Sequence, residues 1–120
     1  MVPEPMLTYH FNRAGRFFMA CTQEGETVGF VKLREQGNGV HEMVYAIGDE
    51  MLWGRGYGTD AVRSALAAAF LEHRARKVIA RIYPENRRSV RSVSRCGFRC
   101  AEEGTRLHRY EITMADYLNR

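Results

Sequence analysis

The first half of the chain contains runs of apolar, strand-forming residues separated by short polar or glycine-containing turns. Strand-forming residues fill positions 16–22, and after a polar turn at 23–26 they fill positions 27–33. A second turn at 35–39, which contains two glycines, leads into another such run at 40–47. Three runs joined by two short turns predict an antiparallel meander.

After residue 59 the apolar positions change to a helical spacing. The residues on the predicted apolar face are Val62, Ala65, Leu66, Ala69 and Phe70. This spacing predicts a helix over residues 60–73, with Thr59 as its N-cap and Asp60 in its first turn. A short apolar strand follows at 77–83, so the order of elements predicts a right-handed parallel crossover.

The last third of the chain predicts a short helix and a hairpin. Asn86 is the predicted N-cap of a helix that extends to Arg95, and Gly97 is its predicted C-cap. Residues 98–102 and 107–113 form the predicted hairpin. The sequence therefore predicts an α/β (α+β) fold with a mixed sheet, in which an antiparallel meander is followed by a βαβ unit and a C-terminal hairpin.

Composition bounds the number of domains and the compartment. The 120 residues are the length of one domain, which we assign to residues 1–120. No segment has the apolar run of a membrane helix and residues 1–11 lack a signal-peptide pattern, so we expect a cytoplasmic protein without a membrane partner. Three cysteines, an odd number, predict reduced thiols. Cys96 and Cys100 lie close together, but no second pair accompanies them and the four histidines are scattered, so no metal site is predicted.

The glycine-rich stretch at 53–60 carries the most chemical information. Gly54, Gly56 and Gly58 let the backbone turn sharply and present consecutive N–H groups. The helix that follows directs its free N–H groups and its positive dipole end to the same point. Together with a net charge of +4, this arrangement predicts a site for an anion such as a pyrophosphate.

Other interpretations of the glycine stretch fit less well. The phosphate loop of NTPases needs a lysine before its Ser or Thr, and here Gly58 is followed directly by Thr59. A dinucleotide fingerprint would use Gly56, Gly58 and Ala61, but residues 49–52 intervene between the strand and the glycines. A helix start without a ligand is disfavoured by the conformational entropy that three glycines lose on folding.

Residues 47–61 resemble the pyrophosphate loop of GNAT acetyltransferases, in particular the branch that contains the ribosomal-protein alanine acetyltransferases. Gly56 and Gly58 fill the last two fixed positions of the pattern Gln/Arg-x-x-Gly-x-Gly/Ala, and Trp53 replaces the Gln/Arg.

A second element of the family follows at the expected separation. Asn86 and Ser89, followed by Gly97 and Phe98, are similar to the family's Asn-x-x-Ser helix that ends in Gly-Phe. The resemblance covers residues 16–118. It indicates one GNAT-like acetyltransferase domain that is N-terminally short, without the usual N-terminal strand and helices.

The resemblance implies an N-acetyltransferase that uses acetyl-CoA and transfers the acetyl group to a primary amine by direct attack in a ternary complex. The acceptor is then a small-molecule amine or a peptide N-terminus, and a nucleic acid is not expected as a partner. The alternative is a non-catalytic CoA-binding or assembly module. The residues implied in cofactor binding are Ile47, Trp53, Gly54, Arg55, Gly56, Tyr57, Gly58, Thr59, Asn86 and Arg95.

The short N-terminus also implies a surface for assembly. Without the elements that normally precede the meander in this family, apolar surface beside the meander would be exposed. A symmetric homodimer would cover that surface. Leu7, Tyr9 and Phe11 alternate and predict an added strand there.

Glu42 is the candidate general base that accepts the proton of the acceptor amine. It lies in the third strand, where this branch resembles a Glu-bearing pattern. A surface glutamate or the ion-pair partner of an arginine is an equally open interpretation. His41 faces the opposite side of the strand by alternation. The tyrosine that often protonates the thiolate in the family is replaced by Val93-Ser94, so no general acid is assigned.

The roles of several other side chains stay open. The arginines at helical spacing are Arg87, Arg88, Arg91 and Arg95. Three interpretations of these arginines stay open: a solvated helix face, a contact to the CoA 3′-phosphate, or a contact to nucleic acid. The aromatic and sulfur side chains that either contact a ligand or belong to the core or rim are Met43, Tyr45, Trp53 and Tyr57.

Overall fold

The computed structural model describes residues 8–11, 17–21, 24, 27–47 and 57–119. The strands, in chain order, are β1 (Thr8–Phe11), β2 (Phe17–Cys21), β3 (Thr27–Gly37), β4 (Val40–Ile47), β5 (Lys77–Ile82), β6 (Arg99–Glu103) and β7 (His108–Thr113). The helices are α1 (Tyr57–Ala67), which continues into a π-helical turn (Ala68–Glu72), α2 (Arg87–Arg95) and α3 (Met114–Leu118).

The strands form one mixed sheet, which over the described residues has the order β1-β2-β3-β4-β5-β7-β6. β1 to β4 are an antiparallel meander, α1 connects the parallel strands β4 and β5, and β6 and β7 are an antiparallel hairpin. The predicted fold class is therefore confirmed. β7, the second strand of the hairpin, pairs antiparallel with β5, so that β6 lies on the outer side of β7.

A strand precedes β2, at the alternating residues where an added strand was predicted. β1 pairs with β2 within the chain, with Thr8 beside Cys21 and Phe11 beside Phe18. The predicted added strand thus forms within the chain, because the free edge of β2 finds its hydrogen-bonding partner nearby in the sequence.

The turn between β3 and β4 is tighter than the predicted turn at 35–39. β3 continues through a bulge to Gly37, and the turn itself is Asn38 and Gly39. Asn38 has a φ of 55° and Gly39 a φ of 74°. These left-handed conformations suit asparagine and glycine, which explains why the reversal occurs there.

Helix α1 begins at Tyr57, so the prediction of Thr59 as the N-cap is wrong. Thr59 lies inside the first turn and is only 8% exposed. Gly58 joins the helix because α2 approaches it closely: a Cβ atom built on Gly58 would lie 3.0 Å from Oγ of Ser92. The helix ends in the π-helical turn, where the N–H of His73 donates to the carbonyl of Ala68 at 3.0 Å.

The core lies between the sheet and the helices. The sheet contributes Val31, Leu33, Met43, Val78, Ala80 and Ile112, and α1 contributes Ala61, Val62, Ala65 and Leu66. Helix α3, which the sequence analysis missed, packs Tyr117 on Phe70 with ring centroids 4.8 Å apart. Its signal was readable as a capping box, in which Thr113 and Asp116 exchange hydrogen bonds.

Candidate active site

Strands β4 and β5 are paired over only part of their length. Their register begins with Val40 beside Lys77 and, within the described residues, ends with Glu42 beside Ile79. β4 continues to Ile47 and stays paired with β3 on its other side. Beyond Glu42, the edge of β4 that faces β5 therefore presents backbone groups that are not paired with β5 and can bind an extended ligand.

The separation of the two strands opens a cleft of about 130 Å³. Its walls are residues 42–45 of β4 and 80–82 of β5, and it is also lined by Tyr83 after β5, by Asn86 at the start of α2 and by Ser89 of α2. This volume is below that of a pocket for a compact drug-sized ligand. The shape therefore suits a narrow, extended chain.

Asn86 is the N-cap of α2, as predicted. Its Oδ1 accepts a hydrogen bond from the backbone N–H of Ser89 at 3.3 Å. Because this bond uses the carbonyl oxygen, the side-chain NH₂ group is a donor at the cleft that Asn86 lines. The residue thus both starts the helix and offers a polar contact to a ligand.

The structure covers part of the glycine stretch. The residues of the stretch that lie outside the described part are Trp53, Gly54, Arg55 and Gly56. Tyr57, Gly58 and Thr59 form the first turn of α1. Gly58 does not have a positive φ; a side chain there would instead be crowded by Oγ of Ser92, 3.0 Å from an added Cβ. The start of α1 is thereby held against α2 and beside the cleft.

Glu42 lies at the point where the two strands separate. Its side chain is on the sheet face opposite the helices, it lines the cleft, and the residue is 9% exposed. Nη1 of Arg81 lies 2.8 Å from Oε2 of Glu42, and Nε2 of Gln36 donates to Oε1 at 3.2 Å. The carboxylate is therefore an oriented anion, and one arginine already pairs with it.

His41 lies on the opposite face of β4, as the alternation predicted. It is buried, and its ring stacks on that of His73 with centroids 5.9 Å apart. It therefore belongs to the packing between the sheet and the π-helical turn and not to the cleft.

Tyr45, whose role the sequence left open between ligand contact and core or rim, lines the cleft. Its hydroxyl donates to the carbonyl of Ser89 at 3.5 Å. Burial raises the pKa of Tyr45, against smaller lowering contributions from Ser89 and Ser92, so the phenol is a hydrogen-bond donor at neutral pH. Val93, at the position of the family's tyrosine, is fully buried in the core. The cleft thus receives a hydroxyl from β4.

The arginines of α2 lie on its outer side. Arg87, Arg88, Arg91 and Arg95 are all exposed, and none lines the cleft. Arg95, the predicted cofactor residue of this set, is in the last turn of the helix. Met43 is buried in the core and also lines the cleft.

The matched family agrees with this geometry. Residues 5–99 match the model of the acetyltransferase (GNAT) domain. The chain belongs to this family. The predicted enzyme class, an N-acetyltransferase, is confirmed by it, and GNAT domains bind acetyl-CoA. The finer resemblance, to the branch of ribosomal-protein alanine acetyltransferases, stays a prediction.

Solved structures similar to this GNAT domain share its fold. Mutant forms of the spermidine/spermine N-acetyltransferase SpeG from Vibrio cholerae align with a TM-score of 0.77 and 23% identity, over 88% of this chain and 67% of theirs. Spermidine N-acetyltransferase from the same organism, in complex with CoA and spermine, aligns with a TM-score of 0.75 and 24% identity, over 87% of this chain and 68% of its own. A GNAT-family acetyltransferase from Bacillus anthracis aligns with a TM-score of 0.72 and 21% identity, over 87% of this chain and 69% of its own.

Sequence comparison with curated proteins found no match. Among the described residues of this GNAT domain, no helix has the length and apolar character needed to cross a membrane.

Proposed function

We propose that this GNAT domain transfers the acetyl group of acetyl-CoA to a primary amine by direct attack in a ternary complex. The observation that carries the proposal is the separation of β4 from β5 beyond Glu42, which opens a narrow cleft along an unpaired strand edge. A cleft of this form holds the extended arm of CoA and leaves its thioester next to the carboxylate at the point of separation.

The cofactor would be held by backbone groups more than by side chains. The arm would bond to the open edge of β4 up to Ile47 and to the NH₂ group of Asn86. The pyrophosphate would lie against the N–H groups of residues 55–59, with Trp53, Gly54 and Tyr57 around it and Arg95 near the 3′-phosphate. Acetyl-CoA supplies an activated acetyl group, and an N–H of the open edge would stabilise the charge that develops on its carbonyl oxygen.

Glu42 would act as the general base. An amine is mostly protonated at neutral pH and attacks only after it loses a proton. The carboxylate lines the cleft, is oriented by Arg81 and Gln36, and is next to the end of the strand pairing. The departing thiolate needs no strong acid because its pKa is about 8.5 for a free thiol.

The ion pairs on the sheet face that carries Glu42 favour an acceptor with a single amine. On this sheet face Glu42 pairs with Arg81, and Glu111 lies 3.5 Å from Lys77 and 3.8 Å from Arg109. A polycation would have to displace these basic partners, whereas one ammonium group needs only one carboxylate. A peptide N-terminus or a small monoamine therefore fits better than spermidine, the substrate of the SpeG neighbours.

The proposal is tested by measuring CoA affinity and acetyl transfer on the same preparation. Calorimetry gives the affinity for CoA, and mass spectrometry detects acetylated products from peptides, small monoamines and spermidine. Thiol reagents are avoided because Cys100 is exposed. Binding with turnover of a monoamine or peptide supports the proposal. Binding without turnover of any amine favours the non-catalytic CoA-binding or assembly module, and absence of CoA binding overturns both.

A further inference from the structure

The β6–β7 hairpin brings together three different metal-binding side chains. The ligand atoms of Cys100, Glu103 and His108 all lie within 4.8 Å of one another. Cys100 and Glu103 are exposed and His108 is half-buried, so an ion can reach them from solvent. We propose that this hairpin binds a divalent transition-metal ion of the zinc type through these three residues.

A β-bulge explains why residues that are three apart face the same side. In a regular strand Cys100 and Glu103 would point to opposite faces, because side chains alternate. Here the register shifts between Cys100 and Glu102, so that Cys100 pairs with Tyr110 and Glu103 pairs with His108. The extra residue restores both side chains to one face, which is a common effect of a bulge.

The neighbouring acidic residue supports this orientation. Glu102 points to the other face, where its Oε2 lies 3.3 Å from Nη1 of Arg109. Cys100 and Glu103 pair with Tyr110 and His108, which are two residues apart on β7 and therefore lie on one face. The hairpin therefore separates an ion-paired glutamate from a thiol, carboxylate and imidazole that lie together.

The distances require only small side-chain rotations for an ion to bind. Zinc bonds of about 2.0–2.3 Å in a tetrahedron place the ligand atoms roughly 3.3–3.8 Å apart. The limit of 4.8 Å here is about 1 Å longer than that range. Each donor sits on a paired strand, so the backbone need not move.

The donor set selects the type of metal. A thiolate and an imidazole favour zinc and similar ions over calcium or magnesium, which prefer oxygen ligands. Three protein ligands leave a fourth position for water. The cleft lies between β4 and β5, whereas the three ligands lie on the β6–β7 hairpin and do not line it, so the proposal does not depend on acetyl transfer.

The test measures Zn²⁺ binding by calorimetry and Co²⁺ binding by absorption on the chelator-treated, reduced full chain. We expect one Zn²⁺ per chain, and with Co²⁺ a thiolate charge-transfer band together with tetrahedral d–d bands. Cys100→Ser should abolish the charge-transfer band, and His108→Gln should weaken Zn²⁺ affinity by at least about tenfold. Zn²⁺ should also raise the Tm of the wild type and not that of Cys100→Ser.

Glu102→Gln is the matched control, because it removes an adjacent carboxylate on the opposite face. It should bind Zn²⁺ like the wild type. Three outcomes would overturn the site: no binding by the wild type, a charge-transfer band that persists in Cys100→Ser, or equal losses in Glu102→Gln and Glu103→Gln. Circular dichroism checks that each variant folds. If Cys100→Ser does not fold, the loss of Zn²⁺ affinity in His108→Gln decides whether the site exists.

Discussion

At the scale of single residues, Glu42 carries the sharpest prediction. Glu42→Gln keeps the shape and the hydrogen-bonding ability of the side chain but removes its basicity. Turnover at neutral pH should fall about a hundredfold or more, while CoA affinity hardly changes. The loss should be smaller at high pH, where more of the amine is already deprotonated. The measurement is turnover across pH, with calorimetry for CoA.

Arg81→Gln is the control for a purely structural role of Glu42. The Arg81 side chain is 43% exposed, so its ion pair should contribute only about 1 kcal/mol or less to stability. If Glu42 serves only as the ion-pair partner of Arg81, Glu42→Gln and Arg81→Gln should lose stability and activity to the same extent. Near-normal turnover of Glu42→Gln would remove it from the mechanism, and loss of the amine proton to bulk water would become the preferred account.

Gly58 allows the glycine stretch to be tested inside the described structure. Gly58→Val should lower CoA affinity, because the larger side chain disturbs the N–H groups at the start of α1. It should also strain the contact with Ser92, whose Oγ would lie 3.0 Å from the new Cβ. Calorimetry and thermal melting measure the two effects.

A Ser92→Ala background separates packing from binding. If the contact with α2 causes the whole effect, Gly58→Val combined with Ser92→Ala should regain both Tm and CoA affinity. We expect Tm to recover in part and CoA affinity to stay low. Unchanged CoA affinity in a folded Gly58→Val protein would reject the assignment of a pyrophosphate site.

At the scale of elements, the capping box of α3 makes stability depend on pH. Hydrogen bonds from Thr113 hold the pKa of Asp116 below its usual range. The contribution of Asp116 is therefore complete above the unfolded value of about 4 and is lost as pH falls through the lower, folded pKa. Asp116→Asn should melt at a lower temperature than wild type near pH 6, and the gap should close in acid.

Thr113→Ala is the partner variant for this measurement. It removes the cap that accepts from the N–H of Asp116 at 3.0 Å, and it should cost about 1 kcal/mol of stability. A difference between wild type and Asp116→Asn that stays constant from pH 6 to acid would contradict the linkage.

At the scale of the whole molecule, we predict a symmetric homodimer. The sheet face opposite the helices exposes Phe30 and Val44, at 38% and 37%, beside the exposed Lys32. Among the described strands β1 is at one end of the sheet, so its outer edge can pair. Light scattering at micromolar concentration should give about twice the chain mass of 13.8 kDa.

A charge placed on that face should shift the dimer to monomers. Val44→Lys sets a second lysine opposite Lys32, whereas Leu71→Lys makes the same change at a residue of the π-helical turn that is 59% exposed. The first should lower the mass and the second should not. A monomeric wild type would refute the prediction, and equal effects of both variants would mean that the face is not the interface.

The sequence by itself determined the elements whose signals are local. A run of strand-forming residues after a turn predicted β4 as residues 40–47, helical spacing placed α1, and Asn86 capped α2 through a bond to Ser89 three residues later. Such interactions join residues within one or two turns, so their partners can be read from the spacing. The glycine stretch and the Asn-x-x-Ser helix also pointed to the GNAT family, which the comparison confirmed.

Tertiary structure alone decided where these elements meet. The strands separate after Glu42, Arg81 crosses from β5 to pair with that carboxylate, and Tyr45 reaches a carbonyl of α2. The bulge in β6 likewise reverses the direction in which Glu103 points relative to Cys100. Each of these depends on sheet register or on packing between elements distant in sequence, and a shift of one residue turns a side chain to the opposite face.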